Sequence, residues 1–133
     1  MKNRKSVLII GLILLVIAGL VTLILSGGTA AAVCKPDPGV IPVHYTITIQ
    51  DNKPSNTTLS TVRCDTVTFM NEDNVSREIA FGPHEKHVAY DGIKERVLNQ
   101  GESFTVTMIK TGNSFQWHDH WHDVIQGTFS VAP

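Results

Sequence analysis

The 133 residues leave room for one domain, and the first quarter is so unlike the rest that the folded part is expected to be about 100 residues around one small core. The formal charge of -1 hides an asymmetry: with Lys2, Arg4 and Lys5 set aside, 8 basic residues face 12 acidic ones, a net of -4 for the remainder. A mildly acidic domain argues against nucleic acid as a partner.

Residues 7–25 (VLIIGLILLVIAGLVTLIL) run for 19 positions without a charge, close to the roughly 20 that cross a bilayer as a helix. No polar face interrupts them, so the reading is a transmembrane signal-anchor. The basic residues ahead of it predict that residues 1–6 stay in the cytoplasm, making this a single-pass cell-membrane protein whose domain faces outside. A cleaved secretory signal is the alternative, with Ala30, Ala31 and Ala32 as the peptidase site and a secreted product. The apolar run exceeds the roughly 7–15 residues usual for a signal, which favours the anchor. A lipoprotein reading of Cys34 is weaker, because the branched Val33 precedes it.

Residues 26–42 (SGGTAAAVCKPDPGVIP) are rich in Gly, Pro and small residues without periodicity and read as a linker. Cys34 and Cys64 are the only cysteines. Outside the cytoplasm an even pair invites a disulfide, but a free Cys34 with Cys64 as a small buried hydrophobe fits equally well.

The domain is read as residues 43–133. Val43, Tyr45, Ile47 and Ile49 alternate with His44, Thr46, Thr48 and Gln50, the period of two that buries one face of a strand and leaves His44 on the polar face. Turn residues at 51–56 (DNKPSN) lead to a β-rich stretch at 60–71 and a short strand at 78–81. Residues 82–99 read as a long loop with one short strand near Val97. Phe104, Val106 and Met108 alternate with Ser103, Thr105 and Thr107, and two closing strands are predicted at 114–117 and 127–131. Short strands at this spacing, without an amphipathic helix, predict an all-β antiparallel sandwich or barrel.

Five of the six histidines fall between residues 84 and 122, as His84 and His87 in GPHEKH and His118, His120 and His122 in WHDHWHD. In extended backbone alternate side chains point the same way, so the second group presents up to three imidazoles on one side with Asp119 and Asp123 offset. Neutral imidazole is a borderline donor that suits copper or zinc, and carboxylates beside it orient the rings. Against this stands a surface string of polar residues or a pH sensor. The H-x-x-H pair alone is a modest signal.

Cys64 and the residues after it (CDTVTFMN), the turn Gly101-Glu102-Ser103-Phe104, the Thr111-Gly112 turn and the closing Gly127-Thr128-Phe129-Ser130-Val131 resemble, in order, the framework of cupredoxins, the plastocyanin-like blue-copper domains. The resemblance covers residues 43–133 and implies a Greek-key β-sandwich with a ligand loop before the last strand, the slot held here by WHDHWHD. A blue-copper site takes two histidines, a cysteine and usually a methionine. Here Arg77 and Glu78 stand where the upstream histidine is expected, His118 stands in the cysteine's loop, and no methionine follows. The pattern is more similar to small, often membrane-tethered bacterial cupredoxin-like domains with a PH-x-x-H loop and an HDH motif. That resemblance implies ligand roles for His84, His87, His118 and His120, with His122 as an additional or substitute ligand, and a type-2-like Cu(II) centre.

Three functions follow as expectations. The first is extracytoplasmic copper binding for buffering, delivery or, least favoured, electron transfer, since an all-nitrogen site reorganises on reduction. The second is copper-dependent redox catalysis such as a copper-only superoxide dismutase. The third is a non-redox cell-surface interaction domain, for which exposed Trp117 and Trp121 would form a docking surface. The opposing reading has Trp117 in the core and Trp121 shielding the metal. No Ser-His-acid order or phosphate-binding glycine loop is present, which leaves hydrolase and nucleotide functions unsupported. The tripeptides Asn56-Thr57-Thr58 and Asn74-Val75-Ser76 match the glycosylation pattern and decide nothing.

Overall fold

The computed structural model describes residues 34–133, so the predicted segments 1–6 and 7–25 lie outside the described residues. The period-two pattern at the start of the domain does form a strand, β1 (His44–Gln50), with Ile47 and Ile49 buried and His44 exposed. Asp51 and Asn52, both with positive φ (54° and 58°), turn β1 back onto β2 (Lys53–Pro54), the geometry that matches the twist of a tight hairpin.

The stretch 60–71 breaks into β3 (Thr58–Val62) and β4 (Thr66–Asn71). Cys64 takes a positive φ of 76° between them. The Asp65 carboxylate accepts the N–H groups of Val62 (2.8 Å) and Val43 (2.7 Å), which fixes the corner. After β5 (Arg77–Phe81) the long segment contains the short edge strand β6 (Glu95–Leu98), and the chain continues through β7 (Ser103–Thr107), β8 (Gly112–Asp119) and β9 (Gln126–Ala132).

The strands form two sheets, in the orders β2-β1-β4-β7 and β3-β9-β8-β5-β6. The sandwich is mixed rather than antiparallel throughout, because β1 runs parallel to β4 and β3 parallel to β9. The chain passes to the second sheet as β3, and the corner at Cys64 returns it to the first sheet as β4, so β1 and β4 become neighbours by a crossover between layers, the kind of connection that parallel neighbours require.

Between the sheets lies an aromatic core. Phe69 packs edge-on against Trp117 (5.1 Å between ring centroids) and stacks with Phe104 (5.4 Å), while Phe81 meets Phe129 edge-on (6.4 Å). Burying each such ring stabilises the fold by about 1.5–3 kcal/mol. Trp117 is 1% exposed and Trp121 49%, which resolves the two tryptophans into a core residue and a surface one.

Cys34 and Cys64 are joined in a disulfide across 30 residues of chain. Asp37 adds an ion pair with Arg63 (2.7 Å), so the described part of the proline-rich stretch, residues 34–42, is fastened to the domain. The fastening sits at the end of the second sheet where Val62 is registered with Ala132, whereas His118 pairs with Gln126 at the other end of β9. Replacing both cysteines with serine in the full-length protein is therefore expected to lower the unfolding free energy by about 2–4 kcal/mol, through the freed loop entropy. Urea titration measures this, and histidine ring resonances unchanged from the parent would show that the far end is intact.

Candidate metal centre

Two segments meet at the end of the second sheet. β5 and β8 pair antiparallel with Phe81 opposite Trp117, Ala80 opposite His118 and Ile79 opposite Asp119. Beyond Phe81 the chain turns at Gly82, whose φ of +89° favours glycine. A Cβ there would lie 2.9 Å from the Lys86 carbonyl oxygen, so a side chain is also excluded by space. Gly82 N donates to Gln116 O (2.8 Å), Lys86 N to Pro83 O (2.9 Å) and Val88 N to Phe81 O (2.8 Å). These bonds fold 82–88 into a tight loop that holds His84 and His87 over the His118 end of β8.

His118, 5% exposed, faces that loop from β8, and the next backbone bond, from His120 N to Glu78 O (2.7 Å), extends the ladder by one residue. One ring nitrogen from each of His84, His118 and His120 lies within 4.8 Å of the others. His84 stacks on His120 (4.6 Å, 14° between planes), and the His87 ring stands 4.7 Å from His120 and 5.1 Å from His118. Four of the histidines singled out in the sequence thus come together.

His122 does not join them. Strand alternation would put it beside His118 and His120, but β8 ends at Asp119, and bonds from His122 N to Asp119 O (3.1 Å) and Ile125 N to His122 O (2.8 Å) curl the chain. The half-exposed His122 ring instead places Nδ1 3.2 Å from Asp119 Oδ2. His44 stands on the other sheet, with Nδ1 2.8 Å from the Thr66 hydroxyl.

Carboxylates orient two of the rings. Asp123 Oδ1 is 3.3 Å from His84 Nδ1, and Glu95 Oε2 is 2.6 Å from His87 Nδ1. The hydrogen bond from His87 holds the Glu95 carboxyl below the usual carboxylate range. Sequence reasoning missed Glu95, since an acidic residue on an exposed edge strand carries no local signal of what lies across from it. Asp119, grouped with Asp123 as a ring-orienting carboxylate, meets the His122 ring rather than one of the clustered four, and its buried Oδ2 also accepts from Arg77 Nη1 (3.1 Å). Arg77 occupies the place where the blue-copper pattern expects its upstream histidine, and it is wholly buried.

The chemistry of the cluster shows in its unpaired atoms. His87 Nε2, His118 Nε2 and His120 Nδ1 are buried with no hydrogen-bond partner. An unsatisfied buried polar atom costs about 1–3 kcal/mol, and three from adjacent rings form a donor set awaiting an acceptor of lone pairs. A borderline divalent ion meets that requirement, and the imidazole donors fit copper or zinc. Sulfur plays no part among the described residues: both cysteines are in the disulfide, Met108 is fully buried in the core and Met70 lies on β4 of the other sheet, opposite Ser103. A polar cleft of about 420 Å³, lined by Thr57, His84, Gln116, His118, Asp123 and Thr128 among others, opens beside the rings.

No protein-family model matches the chain, and no curated protein matches it in sequence. Among solved structures it is similar to an amicyanin mutant in its reduced Cu(I) form at pH 4, with a TM-score of 0.56, 19% identity, and 70% of this chain and 86% of that chain covered. It is also similar to a purple cupredoxin from Nitrosopumilus maritimus, with a TM-score of 0.57, 21% identity, and 66% of this chain and 99% of that one covered. The fold is cupredoxin-like.

Burial lowers the His118 pKa, and His87 and His84 nearby lower it further, against a raising hydrogen bond to the Gly82 backbone. The unfolded chain therefore takes up the proton first as pH falls. The contribution of His118 to the stability of the metal-free protein is expected to be fully present above the ordinary imidazole pKa of 6.5 and to be lost as pH drops from there through the lowered value of the folded state. Urea titrations across this range should show the loss, and a His118→Gln variant should flatten it. An unchanged slope in the variant would assign the effect elsewhere.

Proposed function

We propose that this chain is an extracytoplasmic copper-binding protein, tethered by residues 7–25, that holds Cu(II) between His84, His87, His118 and His120 for buffering or delivery. The observation that carries the reading is the set of three buried, unpartnered ring nitrogens on adjacent imidazoles. The cupredoxin-like fold and the copper named for the amicyanin structure support copper as the ion. Bound copper would supply an all-nitrogen centre that favours the oxidised ion. The chain's own part is to hold the rings: Glu95 fixes His87, Asp123 fixes His84, and β8 carries His118. His122, turned to Asp119, is left out of the ligand set.

The polar cleft beside His84 and His118 favours a second reading, copper-dependent dismutation of superoxide, because it gives a small molecule a path to the ring cluster. The same protein assayed for superoxide consumption separates the two.

Copper titration of the full-length protein, with stoichiometry and the EPR spectrum recorded, tests the site. One Cu(II) with an all-nitrogen type-2 spectrum is expected, lost in the His118→Ala/His120→Ala variant and retained in His122→Ala. Equal binding of Cu(II) or Zn(II) by parent and double variant would overturn the site and leave the interaction-domain reading. A C-terminal tag cleaved by protease added to intact cells, and recovered with the membrane when left uncut, checks the tether and its orientation.

A further inference from the structure

The two ligand segments hang from two strands, and one buried ion pair joins those strands next to the site. Arg77 opens β5, whose continuation carries His84 and His87; Asp119 closes β8, between His118 and His120. Both side chains are completely buried. Arg77 Nη1 donates to Asp119 Oδ2 (3.1 Å), while Nη2 donates to Asp73 Oδ2 (2.5 Å) and Asn52 Oδ1 (2.6 Å). The other Asp119 oxygen accepts from the backbone N–H groups of Glu78 (3.2 Å) and Trp121 (3.1 Å).

Asp119 is thus held by a side chain at the start of β5, by the β5 backbone and by the loop beyond β8. Its neighbours in sequence, His118 and His120, point the opposite way, into the ring cluster. A rotation or shift at Asp119 moves both ring-bearing residues together. Stability is a poor account of such a pair, since apolar residues of similar volume in place of a buried ion pair are often neutral or better. Breaking one partner alone is costly, because it strands a buried charge.

We propose that Arg77 is a positioning residue for the metal centre: acting through Asp119, it sets the spacing between the His84/His87 loop and the His118/His120 pair. This rests on the metal-site reading. The pair does not touch the four proposed ligand rings; it fixes the backbone that carries them, as outer partners of metal ligands commonly do.

The test uses the full-length protein in three forms: parent, Arg77→Met/Asp119→Leu, and Asp119→Asn. The double variant replaces the ion pair with apolar side chains but strands the Asp73 carboxylate and the Glu78 and Trp121 N–H groups, so its melting temperature is expected to fall and its copper binding is measured below that temperature. Its Cu(II) affinity is expected to fall about 10–100-fold, with altered copper hyperfine splitting in the EPR spectrum. Asp119→Asn keeps an acceptor for the Glu78 and Trp121 N–H groups and removes the charge, so it supplies the same comparison should the double variant fail to fold. Parent-like affinity and EPR spectrum in either folded variant would overturn the proposal. Ring-to-ring NMR contacts between His87 and His120 in the metal-free protein report the spacing without any metal. Loss of those contacts in a folded variant supports positioning even if the parent binds no copper, and their survival in a folded variant counts against it.

Discussion

The antiparallel pairing of β5 with β8 is the constraint on which the site depends. Its register, Phe81 opposite Trp117 and Ala80 opposite His118, places two aromatic rings in the core and an imidazole on the far side of the same strand. The two strands run out in opposite directions only two register positions apart, and the tight loop after Phe81 folds back, so that His84 and His87 reach the rings of His118 and His120. Phe69 and Phe104 from the first sheet pack against these aromatics, and the core thereby supports the outer face on which the rings gather.

The corner combines three kinds of interaction with different roles. Gly82 allows a loop too tight for a side chain and sets His84 and His87 above His118. Glu95 and Asp123 each occupy one nitrogen of a ring and so orient the other. The unpartnered nitrogens of His87, His118 and His120 are a local cost in the metal-free fold, which a bound ion would remove. Ion binding is then coupled to the stability of the folded state, since a ligand that binds only the native form stabilises it.

Fastening and chemistry lie at opposite ends of the second sheet. The Cys34–Cys64 disulfide and the Asp37–Arg63 pair fix the incoming chain where β3 and β9 finish, and the histidines cluster where β9 begins. The surface near them carries Trp121 and Val124, exposed by 49% and 80%, and the polar cleft beside His84.

Much of this was legible in the sequence because it is written in local patterns. Period-two alternation identified β1 and β7, turn residues marked 51–56, within which the structure places the hairpin at Asp51-Asn52 and β2, and two histidine groups announced a cluster at short range. Strand direction, the disulfide and the final ligand geometry were not legible, since each depends on residues far apart in the chain. Cys64 reads as part of a continuous strand until its partner and its left-handed backbone make it a corner, and that corner turns an antiparallel expectation into a mixed sandwich. Alternation likewise predicts His122 beside His118 and His120, but alternation holds only while the strand lasts, and beyond Asp119 the bonds from His122 N to Asp119 O and from Ile125 N to His122 O curl the chain. The sequence by itself determined which side chains bring the chemistry, a property of residue type and local spacing; the tertiary structure decided which of them meet, because the β5–β8 register and a buried ion pair, both long-range, set where each ring stands.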